Sequence, residues 1–215
     1  MTTHEFRDRL ARRARRAKAP VTLGMLEPLE AYFRLLTRWN ATINLTALPL
    51  DVPTDETFDR LLVEPLAAAR QIPTHTARAW VDLGSGGGSP AIPLKISRPA
   101  LQLTMIESKE RKSAFLREAI RALGLAEATV ETERFEVASS KAEHGSTADL
   151  VTVRAVKADA ALFETAGRML KDGGRLLLFR PAHSPSADPA GFERVNTVPL
   201  TDSPPSFLSI YRRRI

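Results

Sequence analysis

The chain has 215 residues, 43% of them hydrophobic and 26% charged, with a net charge of +6 at neutral pH and no cysteine. The lack of cysteine excludes disulfides, thiolate metal sites and cysteine nucleophiles, and no apolar run approaches the ~20 residues that would span a bilayer. Four scattered histidines, His4, His75, His144 and His183, show no metal-ligand spacing; the expectation is a metal-free cytoplasmic monomer with no membrane association, long enough to bury roughly 70% of its unfolded surface.

The charge is concentrated at the start. Residues 1–20, "MTTHEFRDRLARRARRAKAP", hold seven Lys/Arg against two acids and so carry five of the six net charges. This predicts a basic arm that contacts nucleic-acid phosphates, with a solvated basic helix or a frayed tail as the alternatives. Leu26, Leu29, Phe33 and Leu36 then recur at helical spacing, with charged residues between them, which predicts an amphipathic helix ending near "WNATINLTAL" (39–48). Trp39 and Phe33 read as core rather than as base-stacking residues, and Asn40 and Asn44 as side chains that hydrogen-bond the following turn. "LPLDVPTDE" reads as a loop and 58–72 as a helix interrupted by Pro65. Residues 1–75 are thus expected to form a basic arm and helical cap, and 76–215 a separate core.

From about residue 78 the pattern becomes strand–helix alternation. Strands are predicted at 79–83 ("AWVDL"), 101–107, 128–132, 149–155 and 175–179, with helices at 109–124, closed by Gly124, and 158–170. "HSPSADPAG" reads as a loop, His144 and His183 as loop residues, and "ERVNTVPL" and "SFLSIYRR" as two closing strands. Apolar runs separated by helices predict buried parallel strands in an α/β, doubly wound sheet.

In such a sheet the first strand-to-helix turn is where ligands bind. Here that turn is "WVDLGSGGGSPAIP" (80–93), with Ser89 expected to cap the following helix and Pro90 to begin it. Gly84 and Gly86 fit a dinucleotide G-x-G-x-x-G pattern, but Ser89 stands at its third glycine. The pattern matched in full is D-x-G-x-G-x-G: Asp82, Gly84, Gly86 and Gly88. An acid at the strand end suits a cationic ligand better than a pyrophosphate. Glu107 ends the next strand 19 residues after Gly88, where an acid accepts both hydroxyls of a ribose. S-adenosylmethionine (SAM) and NAD sites share that acid, so the residues leave open a SAM site, an NAD-type site or a merely structural turn.

"WNATINLTAL", "WVDLGSGGGSPAIPLKISRP", "ESKERKSAFLRE" and "VTVRAV" occur in this order over residues 25–180. Together they resemble the bacterial 16S ribosomal RNA guanine-N7 methyltransferases, the glucose-inhibited division protein B family. The resemblance implies a Rossmann-like class I SAM methyltransferase fold, with a mostly parallel seven-stranded sheet under the cap, and methylation of guanine N7 in ribosomal RNA, free or within a small-subunit particle. It implies that Gly84, Ser85, Gly86, Gly88 and Glu107 hold SAM, with Asp82 beneath the turn. Arg134, Phe135 and Glu136 then lie beside adenine, and Arg154, together with Arg180, faces the target nucleotide. Guanine N7 carries a lone pair and no proton, so no general base is expected. The chain departs from the family at "LLVEP", where Leu61 stands for the usual His and Glu64 for the usual Asp, and at Arg180–Pro181, where Lys-Gly is usual. These departures fall on the substrate side, which leaves open a paralogue with another target or a factor that binds RNA without methylating it.

Overall fold

In the computed structural model, residues 1–73, 77–181, 188–202 and 204–214 are described; His75, His183 and most of the loop expected after Pro181 lie outside them. Seven strands form one sheet in the order β3-β2-β1-β4-β5-β7-β6: β1 Ala79–Leu83, β2 Gln102–Glu107, β3 Ala128–Thr132, β4 Ala148–Arg154, β5 Leu170–Arg180, β6 Phe192–Asp202 and β7 Pro205–Arg213. The first five are parallel, and β7 runs antiparallel between β5 and β6. The expected closing strands therefore do pair with each other.

Alternation along the strands gives the sheet two buried faces. Trp80, Leu103, Met105, Leu150 and Leu177 point to one face. Val81, Ile106, Val151, Leu176 and Leu178 point to the other. The second face is covered by α7 (Phe135–Ala138) and α8 (Ala160–Met169), through Ala138, Leu162, Ala166 and Met169. The first face is covered by α2 (Leu23–Asn40), α4 (Glu64–Ala68), α5 (Ala91–Ser97) and α6 (Glu110–Leu123), the last closed by Gly124 in the left-handed conformation. Cap helices and sheet share one apolar cluster.

The N-terminal segment is not a loose arm. Thr2 and Glu5 form a capping box for α1 (Thr3–Arg16), which buries Phe6, Leu10, Arg13 and Ala14. Phe6, Phe33 and Phe58 pack ring to ring at 5.3–5.5 Å. The Arg13 guanidinium donates to both carboxylate oxygens of buried Asp59, and Arg9 donates to Asp55. Part of the charge expected to bind phosphate is thus directed inward. The partners lie 42–46 residues away in the chain, so no local pattern of residues could reveal them.

The helix expected at 58–72 begins earlier and is broken differently. Thr54 caps α3 (Asp55–Phe58), a π turn covers Asp59–Val63, and α4 follows with Pro65 in its first turn. Proline cannot donate to the carbonyl four residues back, and its ring crowds that carbonyl. A single widened turn accommodates it, with the Glu64 N–H reaching back to Asp59.

Trp39 packs edge-on against Phe115 at 5.9 Å, as a core residue does. The Asn40 side chain accepts from the N–H groups of Leu45 and Thr46, while Asn44 is exposed. His144 is not a loop residue: it is buried in a 3₁₀ turn, with Nε2 2.9 Å from Glu131 of β3.

Candidate functional site

The strand order reverses at β1, which pairs with β2 on one side and β4 on the other. A crevice opens at such a point outside the carboxyl ends of the strands. Here it is a cleft of about 530 Å³, floored by Gly84–Gly87 and walled by Glu107, Leu45, Arg60, Leu61, Arg154 and Phe179.

Backbone conformation explains the glycines. Gly84 and Gly88 have φ of +71° and +84°, which side chains rarely adopt. A Cβ on Gly88 would lie 2.5 Å from Ile92 Cδ1, and one on Gly84 would lie 3.1 Å from Val156. Gly88 is therefore required by packing against α5, while Gly84 keeps backbone at the cleft floor. The Tyr32 hydroxyl, fully buried in α2, donates to the Gly87 carbonyl at 2.6 Å. Tyr32 thus ties the cap to the turn; its place among other apolar helix residues concealed that role in the sequence.

Asp82 is completely buried beneath the turn. Its Oδ1 accepts from Thr152, whose hydroxyl also accepts from Trp80 Nε1 at 2.9 Å. Among the described residues its Oδ2 has no hydrogen-bond partner. Burial, opposed by the Ser85 and Thr152 hydroxyls, pushes its carboxyl up to about 6. Glu107 lines the cleft and accepts from the N–H groups of Gly86 at 2.9 Å and Lys109 at 2.8 Å. The Ser108 hydroxyl adds a longer bond to Oε1 at 3.5 Å, which leaves the Oε2 side of the carboxylate with the more acceptor capacity to spare.

Arg154 stands at the end of β4, on the far side of the cleft. Its Nη2 donates to Glu64 at 2.8 Å, its Nη1 donates to the Arg60 carbonyl and lies 3.4 Å from the Ser89 hydroxyl, and its guanidinium lies 4.5 Å over the Phe179 ring. Burial lowers its pKa and the Glu64 carboxylate raises it; a guanidinium stays charged throughout. Among the described residues its Nε–H and Glu64 Oε1 have no hydrogen-bond partner, although Glu64 Oε1 lies 3.7 Å from Arg60 Nη1.

The Arg60 and Leu61 carbonyls are available as acceptors because of the π turn. Pro65 cannot bond Leu61, and Glu64 bonds Asp59 instead of Arg60. Ser89 shares its single hydroxyl proton between both freed carbonyls, at 3.2 and 3.0 Å. Its hydroxyl is therefore engaged there and caps nothing; α5 starts at Ala91, with Pro90 at the cap.

Of the sequence-predicted residues, Gly84, Ser85, Gly86, Glu107 and Arg154 meet at the cleft, with Asp82 and Gly88 beneath it. Arg134, Phe135 and Glu136 do not line it. They follow β3, where the Glu133 N–H donates to the Glu107 carbonyl at 3.1 Å, so they flank the site beyond Glu107. Arg180 ends β5 without lining the cleft, whereas Pro181 does line it. Sequence reasoning missed Tyr32, Arg60, Lys112 and Phe179; the only signal was Pro65, which marked a distorted helix next to the site.

The sheet order, the antiparallel β7 and the glycine turn facing an acid at the end of β2 define the class as a Rossmann-like SAM methyltransferase fold. Solved structures share it: MtNAS in complex with MTA and tNA (TM-score 0.58, 14% identity, covering 87% of this chain and 71% of that one) and P. horikoshii TYW2 in complex with MeSAdo (0.54, 15%, 69% and 61%). More specifically, the family described as GidB, rRNA small subunit methyltransferase G, matches residues 25–191. A relative from Xanthomonas axonopodis pv. citri, ribosomal RNA small subunit methyltransferase G, is 38% identical over 178 residues, covering 80% of this chain and 78% of its own. The chain belongs to this family.

Proposed function

We propose that the protein transfers a methyl group from SAM to N7 of a guanine in small-subunit ribosomal RNA. The residues present fit the cofactor. Buried Asp82 Oδ2, without a hydrogen-bond partner among the described residues, suits an ammonium group. The remaining acceptor capacity of Glu107 suits the ribose, and Arg134, Phe135 and Glu136 flank the end of the site that adenine would occupy. When bound, SAM supplies an electrophilic methyl group on a sulfonium.

The chain's own contribution is positioning. N7 presents a lone pair and no proton, so nothing in the cleft has to act as a base. The acceleration comes from holding the ring nitrogen in line with the methyl group. Arg154, which lines the cleft and is braced by Glu64, Arg60 and Phe179, offers a fixed positive charge to the target nucleotide. Leu45, Leu61 and Phe179 give the cleft apolar surface for an unstacked base. Arg180, just outside the wall, is assigned to the flanking phosphate.

The observation that carries the reading is one cleft with Glu107 on one side, Asp82 buried beneath its glycine floor and a braced arginine on the other side, in a chain of this family. The test is transfer of labelled methyl from SAM to 16S ribosomal RNA and to small-subunit particles, followed by borohydride and aniline treatment, which cuts RNA at 7-methylguanosine. Label at an aniline-sensitive position is expected. Label at a resistant position refutes the N7 assignment, and absence of label on both substrates refutes the activity.

A further inference from the structure

Residues 1–24 precede the segment that matches the family, yet α1 is built into the fold. Its cations divide into two sets. Arg7, Arg9 and Arg13 face acids of the cap: Glu30 at 3.6 Å, Asp55 at 2.8 Å, and Asp59. Arg12, Arg15 and Arg16 are exposed, as is Lys18 just past the helix, and none forms an ion pair or a side-chain hydrogen bond with a described residue. The spacing i, i+3, i+4 places the three arginines side by side on the helix surface.

A second observation lies at the C-terminal end of α1. Arg16, Lys18 and Arg70 line a groove of about 380 Å³ together with Arg13, Asp59 and Asp202. Arg13 and Asp59 neutralise each other, which leaves three cations against one carboxylate. The Arg70 Nη1 donates to the Lys18 carbonyl at 3.3 Å, which fixes one wall of the groove. The groove is also linked to the cleft through the chain: Asp59, which anchors α1, immediately precedes Arg60 of the cleft wall.

We infer that the outer face of α1 and this groove hold the phosphodiester backbone of the RNA strand whose target base enters the cleft. The inference rests on the proposed RNA-methylating function and adds a surface whose α1 cations lie outside the family-matched segment. Arginine is suited to phosphate because its planar fork donates in pairs. A helix fixed by buried contacts presents that charge already ordered.

The test uses the full-length chain and its R12Q/R15Q/R16Q/K18Q variant; glutamine preserves helix propensity. Affinity for single-stranded 16S ribosomal RNA fragments is measured against salt concentration, beside SAM affinity, thermal midpoint and methyl-transfer kinetics. On a single strand, every phosphate that is no longer neutralised lowers the slope of log K against log salt by about 0.7, so the variant's slope falls by roughly 2–3. KM for RNA rises while kcat, SAM affinity and the thermal midpoint stay at wild-type values. A wild-type chain that methylates RNA, with a variant of equal slope, overturns the surface alone. A wild-type chain with no salt-dependent RNA binding overturns the surface together with the functional reading beneath it.

Discussion

Asp82 pairs two properties that pull against each other. A carboxyl raised to about 6 by burial binds its proton more tightly in the folded chain than in the unfolded one. The resulting stability is complete below the ordinary carboxylate range and is lost as pH rises through about 6, up to roughly 3 kcal/mol in all. The charged form is the one that suits an ammonium group. SAM affinity should therefore decline as pH drops below about 6, approaching tenfold per pH unit, while D82N binds weakly with a flat profile. Calorimetric titration across pH 5–8 checks this; matching profiles for wild type and D82N would remove Asp82 from the site. Glu107 plays the steadier part, since it is held by two backbone N–H groups and borders the cleft. E107A should weaken SAM binding by roughly 2–3 kcal/mol, the scale for hydrogen bonds to a charged group, with unchanged affinity as the refuting result. Both acids were legible in the sequence, because a glycine turn and a strand-end acid are local patterns. Arg154 was legible as a position, but its partner Glu64, 90 residues away, was not.

At the scale of elements, the π turn is where the cap's fold reaches the cleft's chemistry. A regular helix through 59–68 would satisfy its own carbonyls and give nothing to the cleft. Pro65 forces the turn open, and the released carbonyls of Arg60 and Leu61 fix Ser89 and Arg154. P65A restores an N–H that can bond Leu61 and removes a residue unfavourable in helices. The expected outcome is a thermal midpoint equal to or above wild type, with kcat for methyl transfer lower by about 10- to 100-fold as Arg154 is freed from its alignment. A P65A protein with full activity would show that the turn is only a packing accommodation. The first four strands were placed from sequence to within one residue, since buried parallel strands read as uninterrupted apolar runs bounded by turns, whereas β5 begins at Leu170, five residues before the expected 175, because "KDGG" read as a helix end. The cap was not, because its geometry depends on one proline's missing N–H and on ion pairs between distant segments.

At the scale of the whole molecule, one apolar cluster runs across residue 75. Phe6 and Leu10 of α1 belong to the same apolar cluster as Trp80 and Leu103 of the sheet. Composition suggested otherwise, because seven cations in twenty residues resemble a solvated tail until their partners are known. Deleting residues 1–20 should accordingly do more than weaken RNA binding. Every large apolar side chain taken away removes roughly 1.5–3 kcal/mol of burial, and stripping Arg13 from buried Asp59 leaves an unpaired charge that costs about 3–5 kcal/mol. Together these approach the whole stability of a typical domain, about 5–15 kcal/mol. The truncated chain should unfold at markedly lower denaturant, bind an apolar-surface dye, and lose SAM affinity as the π turn and Arg60 are released from their anchor. The R12Q/R15Q/R16Q/K18Q variant, which keeps the buried side chains of α1 in place, should do none of these. A truncation with wild-type unfolding would mean that the cap stands without α1, and that α1 is a detachable arm after all.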